Sequence, residues 1–276
     1  MPPIFTTEAE FEKFLITEYL KFGSIDKVFK INNYNLPISF ASFHRLLNKY
    51  KIVKSAGPNS KLSESLHVLS LLNTYKLPLE RIYHRFTPNS IQVSTNTLHR
   101  ILHNIRLGVT KRVGIAVLIS NSESPNKFLL GQDESLINNK LGEKGDWSLP
   151  MGYTRQQDSF ANGIKRVLQQ EVFANETIEN KFPKNIIPSD PQPIFCISIA
   201  DIKVYVFKLE LARNYIFSSF KLKKHRYFYP SEVQKLKTRG GVNDIFKIYL
   251  AGNLQALSNS DFNQNLCLLP LKAKIG

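Results

Sequence analysis

Residues 145–173, GDWSLPMGYTRQQDSFANGIKRVLQQEVF, contain the most informative pattern for the fold of the second half of the chain. It opens with a Trp-x-Leu-Pro-x-Gly turn and continues with the apolar spacing of an amphipathic helix. This spacing predicts a helix over roughly residues 158–174. The helix carries an arginine near its middle but few carboxylates, which leaves open whether it serves catalysis or another purpose.

Apolar runs of strand length lie on both sides of this turn and helix. The runs are VGIAVLIS (113–120), KFLLGQ (127–132), PIFCISIA (193–200) and IKVYVFKLEL (202–211). A short helix is expected from Ser231, and a longer one over residues 242–257. This order of elements predicts a mixed sheet flanked by helices.

In the order of these elements, and in the quoted turn and helix, the chain resembles the Nudix superfamily, whose members mostly cleave nucleoside diphosphates linked to another group. The family motif is Gly, five residues, Glu, seven residues, and then Arg-Glu-apolar-any-Glu-Glu. Laid on this sequence, it begins at Gly152, with Asp158 on the first Glu and Arg166 on the Arg. The resemblance covers about residues 112–256 and implies an α/β/α sandwich with a mixed sheet.

The three glutamate positions after the arginine are occupied by Val167, Gln170 and Glu171. Their i, i+3, i+4 spacing places them on one face of the helix. Cleavage of a pyrophosphate bond with Mg²⁺ or Mn²⁺ needs several carboxylates, because they hold the ions that polarise the phosphorus and activate water. A valine offers no lone pair, and a neutral glutamine is a weak ligand, so one acid remains of three.

We therefore expect a hydrolase site that is lost or badly weakened. Glu171 is the candidate catalytic residue, and Glu171 and Asp158 are the candidate ligands of weakly bound Mg²⁺ or Mn²⁺. Alternatively, Glu171 pairs with Arg166 or with a nearby lysine. Further acids in two loop-like stretches could restore a metal site, and they are Asp133, Glu134, Glu143 and Asp146.

The first part of the chain, residues 1–110, is predicted to be an all-α domain, followed by a Nudix-like domain over residues 111–276. Residues 1–110 contain a repeat, because ISFASFHRLL (38–47) and VSTNTLHRIL (93–102) align without gaps. The repeated units span about residues 7–55 and 62–108. In the first unit, Thr7, Ser24 and Ser39 are the predicted N-caps of three helices, and Gly23 ends the first helix.

In both units, the helix after the last serine cap presents arginine, asparagine and small polar residues on its outward face. Such a helix suits the major groove of DNA, where Arg pairs with guanine and Asn with adenine. We interpret residues 1–110 as a tandem helix-turn-helix region that binds double-stranded DNA; the alternative is a helical bundle with solvated polar faces. The candidate DNA-contacting residues are Ser39, Arg45, Asn48, Lys49, Ser94, Asn96, Arg100, His103 and Asn104.

A net charge of +15 favours polyanionic partners, above all nucleic acid. Residues 1–112 carry 16 Lys and Arg against 7 Asp and Glu, so the excess is concentrated there. The basic stretches 221–228 and 235–239 are either solvated edges or extensions of this charged surface. No apolar run is long enough to cross a bilayer, and no secretion signal is visible, so we expect a cytoplasmic protein without a membrane partner.

Three functions are compatible with these patterns. The first is a DNA-binding transcriptional regulator whose impaired Nudix-like domain senses a nucleotide-type small molecule. The second is an active Nudix hydrolase with an atypical metal shell, which would cleave a nucleoside diphosphate-linked substrate. The third is a structural protein with a Nudix-like fold that binds RNA or the ribosome. The patterns fix neither the ligand, the DNA target sequence nor the oligomeric state.

Overall fold

The secondary structure is taken from a computed structural model, which describes residues 5–54, 112–135, 142–155, 158–199, 202–252 and 257–259. The helices are α1 (Glu8–Phe22), α2 (Ile25–Ile31), α3 (Phe40–Lys49), α4 (Phe160–Glu171), α5 (Ala174–Ile178), α6 (Pro230–Val233) and α7 (Val242–Ala251). The strands are β1 (Arg112–Asn121), β2 (Phe128–Asp133), β3 (Trp147–Ser148), β4 (Met151–Thr154), β5 (Phe195–Ile199), β6 (Ile202–Leu211), β7 (Leu222–Phe228) and β8 (Leu257–Asn259).

The strands of the second half form two sheets. The larger sheet has the order β4-β1-β6-β5-β8 and is mixed, since β1 runs parallel to β6 and antiparallel to β4. The smaller sheet has the order β3-β2-β7 and is antiparallel. One face of the larger sheet packs against α4, through Ile164 and Leu168. The opposite face packs against β2 and α7, through Phe128 and Phe246. The predicted α/β/α sandwich with a mixed sheet is therefore confirmed.

Helix α4 is the predicted helix of the quoted stretch, and its sequence explains its position. Ser159 caps it, because its Oγ accepts the Asn162 amide hydrogen at 3.3 Å. Gly163 allows it to lie close to β1, since a Cβ at this position would stand 2.2 Å from Cδ1 of Ile115. The helix ends at Glu171, three residues before the predicted end.

The helix predicted over residues 242–257 is too long. Helix α7 ends at Ala251, because Gly252 takes the left-handed conformation (φ 65°) that closes a helix. Strands β3 and β4 were read from the sequence as parts of a turn. Both are short, at 2 and 4 residues, so they lack the extended alternation that makes a strand recognisable.

The first helical unit is present with its predicted caps. Thr7, Ser24 and Ser39 each accept a backbone N–H at the start of a helix, and Gly23 (φ 68°) ends α1. Helices α1, α2 and α3 enclose their own apolar core, which includes Leu15, Phe29, Phe43 and Leu47. The connection between α2 and α3 has eight residues, whereas the turn of a helix-turn-helix usually has about three or four. The helix-turn-helix interpretation therefore stays a prediction, and the second unit lies outside the described residues.

The first helical unit packs directly on the second half of the chain. The Gln169 side chain of α4 accepts the Val53 amide hydrogen at 3.0 Å and donates to the Lys51 carbonyl at 3.1 Å. Ala174 of α5 belongs to the core of the helical unit, and Lys13 forms an ion pair with Glu179 at 2.7 Å. Contacts from α4 and α5 therefore fix the position of the three helices.

None of the helices in the described part of the chain has both the length and the apolar character needed to span a membrane.

Candidate ligand-binding cleft

A cleft of about 270 Å³ lies where the first helical unit meets the larger sheet. The C-terminal end of α1 forms one wall, with residues Leu20, Lys21, Phe22 and Gly23. A second wall is apolar and comes from the sheet, with residues Ile115, Met151, Ile199, Ile202 and Val204. The floor is polar, and its residues are Arg166, Gln170, Glu171, Lys221 and Arg239. The cleft therefore joins an apolar surface to a cluster of charged and amide groups.

Asp158, which precedes α4, forms an ion pair with Arg166 in the middle of that helix, and both are residues of the motif. Arg166 is 2% exposed, and it also donates to the carbonyl oxygens of Tyr153 at 3.2 Å and Lys54 at 2.7 Å. Burial opposes ionisation of Asp158, but hydrogen bonds from Arg166 and from the Arg155 amide outweigh it and lower the pKa of this carboxyl. The Asp158 carboxylate is therefore ionised and paired with Arg166. Arg166 in turn connects the motif loop to the chain segment after α3, through the Lys54 carbonyl oxygen.

The three helix-face positions of the motif have different environments. Val167 is buried in the core between α4 and the sheet, beneath Gly152, and does not line the cleft. Gln170 lines the cleft, and its Nε2 is buried without a hydrogen-bond partner in the described part of the chain. Glu171 lines the cleft as well and is 5% exposed. Two of the three predicted positions therefore meet in one site.

Glu171 is paired with a lysine, which was one of the alternatives considered from the sequence. The Nζ atom of Lys221 lies 2.8 Å from Oε1 of Glu171, while Oε2 is buried and makes no hydrogen bond within the described residues. Burial raises the pKa of Glu171 above its ordinary value, although the charge of Lys221 opposes this shift. The remaining carboxylate of the motif thus already holds a cation that belongs to the protein.

Ser219 positions Lys221 beside the end of α4. Its buried hydroxyl donates to the Gln170 carbonyl at 3.1 Å and accepts the amide hydrogens of Lys221 and Leu222, both at 3.0 Å. One ring nitrogen of His225 lies 3.0 Å from the Glu171 carbonyl oxygen. Because these contacts tie the start of β7 to the last turn of α4, the lysine stands directly opposite the glutamate.

A second buried ion pair adjoins the first. Arg239 is 6% exposed and donates from Nη1 to Oδ2 of Asp133 at 2.6 Å. Burial opposes ionisation of Asp133, but Arg239 and Lys221 outweigh it and lower the pKa of this carboxyl. Arg239 is held in place by Trp147, whose carbonyl oxygen accepts the Arg239 amide hydrogen at 3.0 Å. Trp147, in the turn of the quoted stretch, therefore fixes the backbone of Arg239 through this hydrogen bond.

The other loop acids considered as metal ligands are also paired with cations. Glu134 lies 3.3 Å from Lys144, and Glu143 forms an ion pair with Lys237. Asp146 accepts the Glu143 amide hydrogen at 2.7 Å and lies 3.7 Å from Lys237. Among the four loop acids, Asp133 acts on Glu171, because its charge contributes to raising the pKa of that carboxyl.

These residues do not fit the magnesium or manganese site that the Nudix resemblance implies. Across the described ranges, no three or more His, Cys, Asp or Glu side chains are grouped as metal ligands. Glu171 faces Lys221, and Asp158 faces Arg166, so both candidate ligands already have a cationic partner. A divalent ion beside Glu171 would face the Lys221 ammonium, whose repulsion acts against binding.

The candidate DNA-contacting residues of the first unit lie as the helical wheel predicts. Arg45, Asn48 and Lys49 of α3 are exposed, whereas Phe43, Leu46 and Leu47 are buried. Phe40, at the start of the helix, is 43% exposed. The Oγ of Ser39 caps α3, and Lys49 forms an ion pair with Glu12 at 2.6 Å. The predicted residues of the second unit, which are Ser94, Asn96, Arg100, His103 and Asn104, lie outside the described residues.

The sequence interpretation missed three residues of the cleft. Lys221 and Arg239 were noticed only as members of basic stretches, and Lys21 was not singled out. A lone lysine opposite a lone glutamate leaves no local sequence signal, because 50 residues separate Lys221 from Glu171. The available clue was the lone Glu171 among the helix-face positions 167, 170 and 171, because a buried carboxylate without neighbouring acids needs a cationic partner.

No family model and no curated protein matches the chain. Among solved structures, a MutT protein from Methanosarcina mazei Go1 is similar, with 16% identity over 52% of this chain and 96% of the other, and a TM-score of 0.39. A NUDIX hydrolase from Nitrosomonas europaea has 16% identity over 54% and 78%, with a TM-score of 0.41. An ADP-ribose pyrophosphatase from Streptococcus suis has 12% identity over 55% and 100%, with a TM-score of 0.37. At these identities and TM-scores, we draw no conclusion about family or activity from the likeness.

Proposed function

We propose that the second half of the chain is a Nudix-like module that binds a nucleotide-type ligand without hydrolysing it, and that the whole chain is a DNA-binding regulator. The main support is the contact between Lys221 and Glu171, at 2.8 Å. In a hydrolase of this kind, the acids of the helix face hold divalent ions. Here the one acid left on that face holds an ammonium group.

A lysine is a poor replacement for a divalent ion in catalysis. It carries one positive charge instead of two, and it does not lower the pKa of a coordinated water as a metal does. It does neutralise a buried carboxylate, which otherwise costs several kcal/mol to place away from water. The exchange therefore keeps the cleft folded while it removes the chemistry that would break a pyrophosphate bond.

The regulatory part of the proposal is supported by charge and by the packing of the helical unit. The exposed side chains of Arg45 and Asn48 lie on α3, in the part of the chain that carries most of the excess positive charge. Arg166 lines the cleft and also holds the Lys54 carbonyl, so the ligand site and the helical unit share a buried residue. Ligand binding would control DNA affinity only if the ligand prefers one position of the helical unit.

The ligand part is tested with the full chain and a panel of nucleoside diphosphate sugars, dinucleoside polyphosphates and oxidised nucleotides. We expect at least one compound to bind with equal affinity in EDTA and in Mg²⁺, and to be recovered intact after prolonged incubation. Turnover that requires Mg²⁺ or Mn²⁺ and that Glu171→Gln abolishes would instead establish the hydrolase.

The DNA part is tested with the double variant Arg45→Ala and Arg100→Ala. We expect DNA affinity that falls steeply with salt, and we expect this variant to lose most of it while circular dichroism shows that it stays folded. A matched control, Lys184→Ala with Lys208→Ala, removes the same charge from exposed positions of the second half. Unchanged affinity in the arginine variant would contradict DNA recognition, and a preference for RNA over DNA would favour the structural alternative.

A further inference from the structure

The polar floor of the cleft contains three buried atoms that lack hydrogen-bond partners among the described residues. Two are donors, Nε of Arg239 and Nε2 of Gln170, and one is an acceptor, Oε2 of Glu171. Arg239 and Glu171 are 6% and 5% exposed, and all three residues line the same cleft. These atoms have almost no accessible surface, so a ligand in the cleft reaches them only when the side chains shift. An unsatisfied buried polar atom is costly, so each hydrogen bond formed in this way adds affinity.

The charges around the cleft cancel. Each cation that lines it has a carboxylate partner within ion-pair distance, and the pairs are Lys21 with Glu18, Arg166 with Asp158, Lys221 with Glu171 and Arg239 with Asp133. A diphosphate group carries two or more negative charges and needs surplus positive charge nearby, from side chains or from metal ions. It would also lie against the Glu171 carboxylate, which repels it. The floor therefore does not favour a diphosphate.

The apolar wall lies beside this floor. Ile199, Ile202 and Val204 are each at most 5% exposed, and Met151 packs against the same core. A flat ring system could cover these side chains while its polar edge faces the floor. The polar edge of such a ring carries both hydrogen-bond acceptors and donors. It therefore matches the two unsatisfied donors and the one unsatisfied acceptor of the floor.

We propose that the floor of the cleft binds an uncharged group with both donors and acceptors, of the kind found on a nucleoside, and that Gln170 determines this specificity. The inference rests on the proposed metal-free binding function and specifies which part of the ligand enters the cleft. The nucleoside portion is buried there, and any phosphate groups stay outside. Gln170 has an amide at a motif position where a carboxylate would hold a metal ion. The amide can donate a hydrogen bond to a base or a sugar, but it is a weak ligand for the metal ions that phosphate cleavage requires.

The experiment compares adenosine, guanosine, cytidine and uridine with their 5′-diphosphates and with inorganic pyrophosphate, by calorimetry on the full chain in EDTA. We expect at least one nucleoside to bind within about threefold of its diphosphate, and pyrophosphate not to compete. In Gln170→Leu, the affinity for that nucleoside should fall about tenfold, as expected for one lost hydrogen bond. The matched control is Asn162→Ala, which removes an exposed amide from the same helix and should leave the affinity unchanged.

The remaining outcomes separate this inference from the proposed function. If diphosphates and pyrophosphate bind in EDTA but no nucleoside does, the inference is wrong while metal-free ligand binding stands. If nucleosides bind but Gln170→Leu does not weaken them relative to Asn162→Ala, the assignment of specificity to Gln170 is wrong. If none of these compounds binds, both the inference and the proposed ligand class fall.

Discussion

The two ends of the segment 152–171, which includes α4, differ in how closely they match the Nudix motif that the sequence resembles. At the N-terminal end, Gly152, Asp158 and Arg166 occupy their motif positions or a close equivalent, and the acid and the arginine form a buried ion pair. At the C-terminal end, the acids are replaced or neutralised, and Glu171 contacts Lys221. We call the first the intact end, because it matches the motif, and the second the rebuilt end, because it departs from the motif.

The residues that hold the fold in such a motif are therefore separable from those that would carry its chemistry. The ion pair at the first end stabilises the fold whatever the cleft binds, because Arg166 also donates hydrogen bonds to the carbonyl oxygens of Lys54 and Tyr153. The second end needs only that its buried carboxylate be neutralised, which a divalent ion or a lysine can do. Variants at the two ends should therefore differ in stability, in pH dependence and in metal binding.

The largest effect on stability is expected at the intact end. Arg166→Ala leaves the Asp158 carboxylate and two carbonyl oxygens without their donor, and removing one partner of a buried pair costs about 3–5 kcal/mol. Urea denaturation at neutral pH measures this loss, with Asn162→Ala on the exposed face of the same helix as control. A loss no greater than that of the control would show that the pair does not hold the loop.

A smaller loss is expected at the rebuilt end. Lys221→Met keeps most of the length of the side chain but leaves Glu171 buried without its cation. We expect a loss of about 2–3 kcal/mol, below the range for fully buried pairs because the lysine is partly exposed. Adding Glu171→Gln to Lys221→Met should recover part of that loss in a double-mutant cycle. A Lys221→Met protein as stable as the unaltered chain would rule out the proposed pairing.

The pH dependence of stability should carry the signature of Glu171. Burial raises its pKa in the folded state above the ordinary value of 4.5, so the folded chain binds this proton more tightly than the unfolded chain does. Its contribution to stability is therefore fully present below about pH 4.5 and is lost as the pH rises through the folded pKa. The unfolding free energy of the unaltered chain, minus that of Glu171→Gln, should fall as the pH is raised above about 4.5. A difference that rises with pH instead would mean that Lys221 outweighs burial.

The smallest effect is expected far from both ends of α4. Lys49 contacts Glu12 at 2.6 Å, but its side chain is 61% exposed. Because exposed ion pairs contribute little, Lys49→Ala should change the unfolding free energy by less than about 1 kcal/mol, and salt should reduce the change further. A salt-resistant loss of several kcal/mol would indicate that the helical unit depends on its surface charges.

The sequence predicted what depends on local pattern. The caps of Thr7, Ser24 and Ser39 and the helix of the quoted stretch follow from contacts within one or two turns, so short segments contain all the needed information. The partners of Glu171 and Asp133 were not predictable, because Lys221 and Arg239 are 50 and 106 residues away. Their positions depend on the Ser219 hydroxyl and the Trp147 carbonyl oxygen, which are uncharged and leave no charge signal in the sequence.

The proposed function depends on Lys221, and not a divalent ion, being the cationic partner of Glu171. The most direct test is a titration of the full chain with Mn²⁺ at pH 7.5, in which electron paramagnetic resonance measures the free and bound ion. The account predicts no saturable binding up to about 1 mM, and a gained site in Gln170→Glu with Lys221→Ala, which adds a carboxylate and removes the ammonium. A stoichiometric Mn²⁺ site in the unaltered chain, lost in Glu171→Gln, would contradict it.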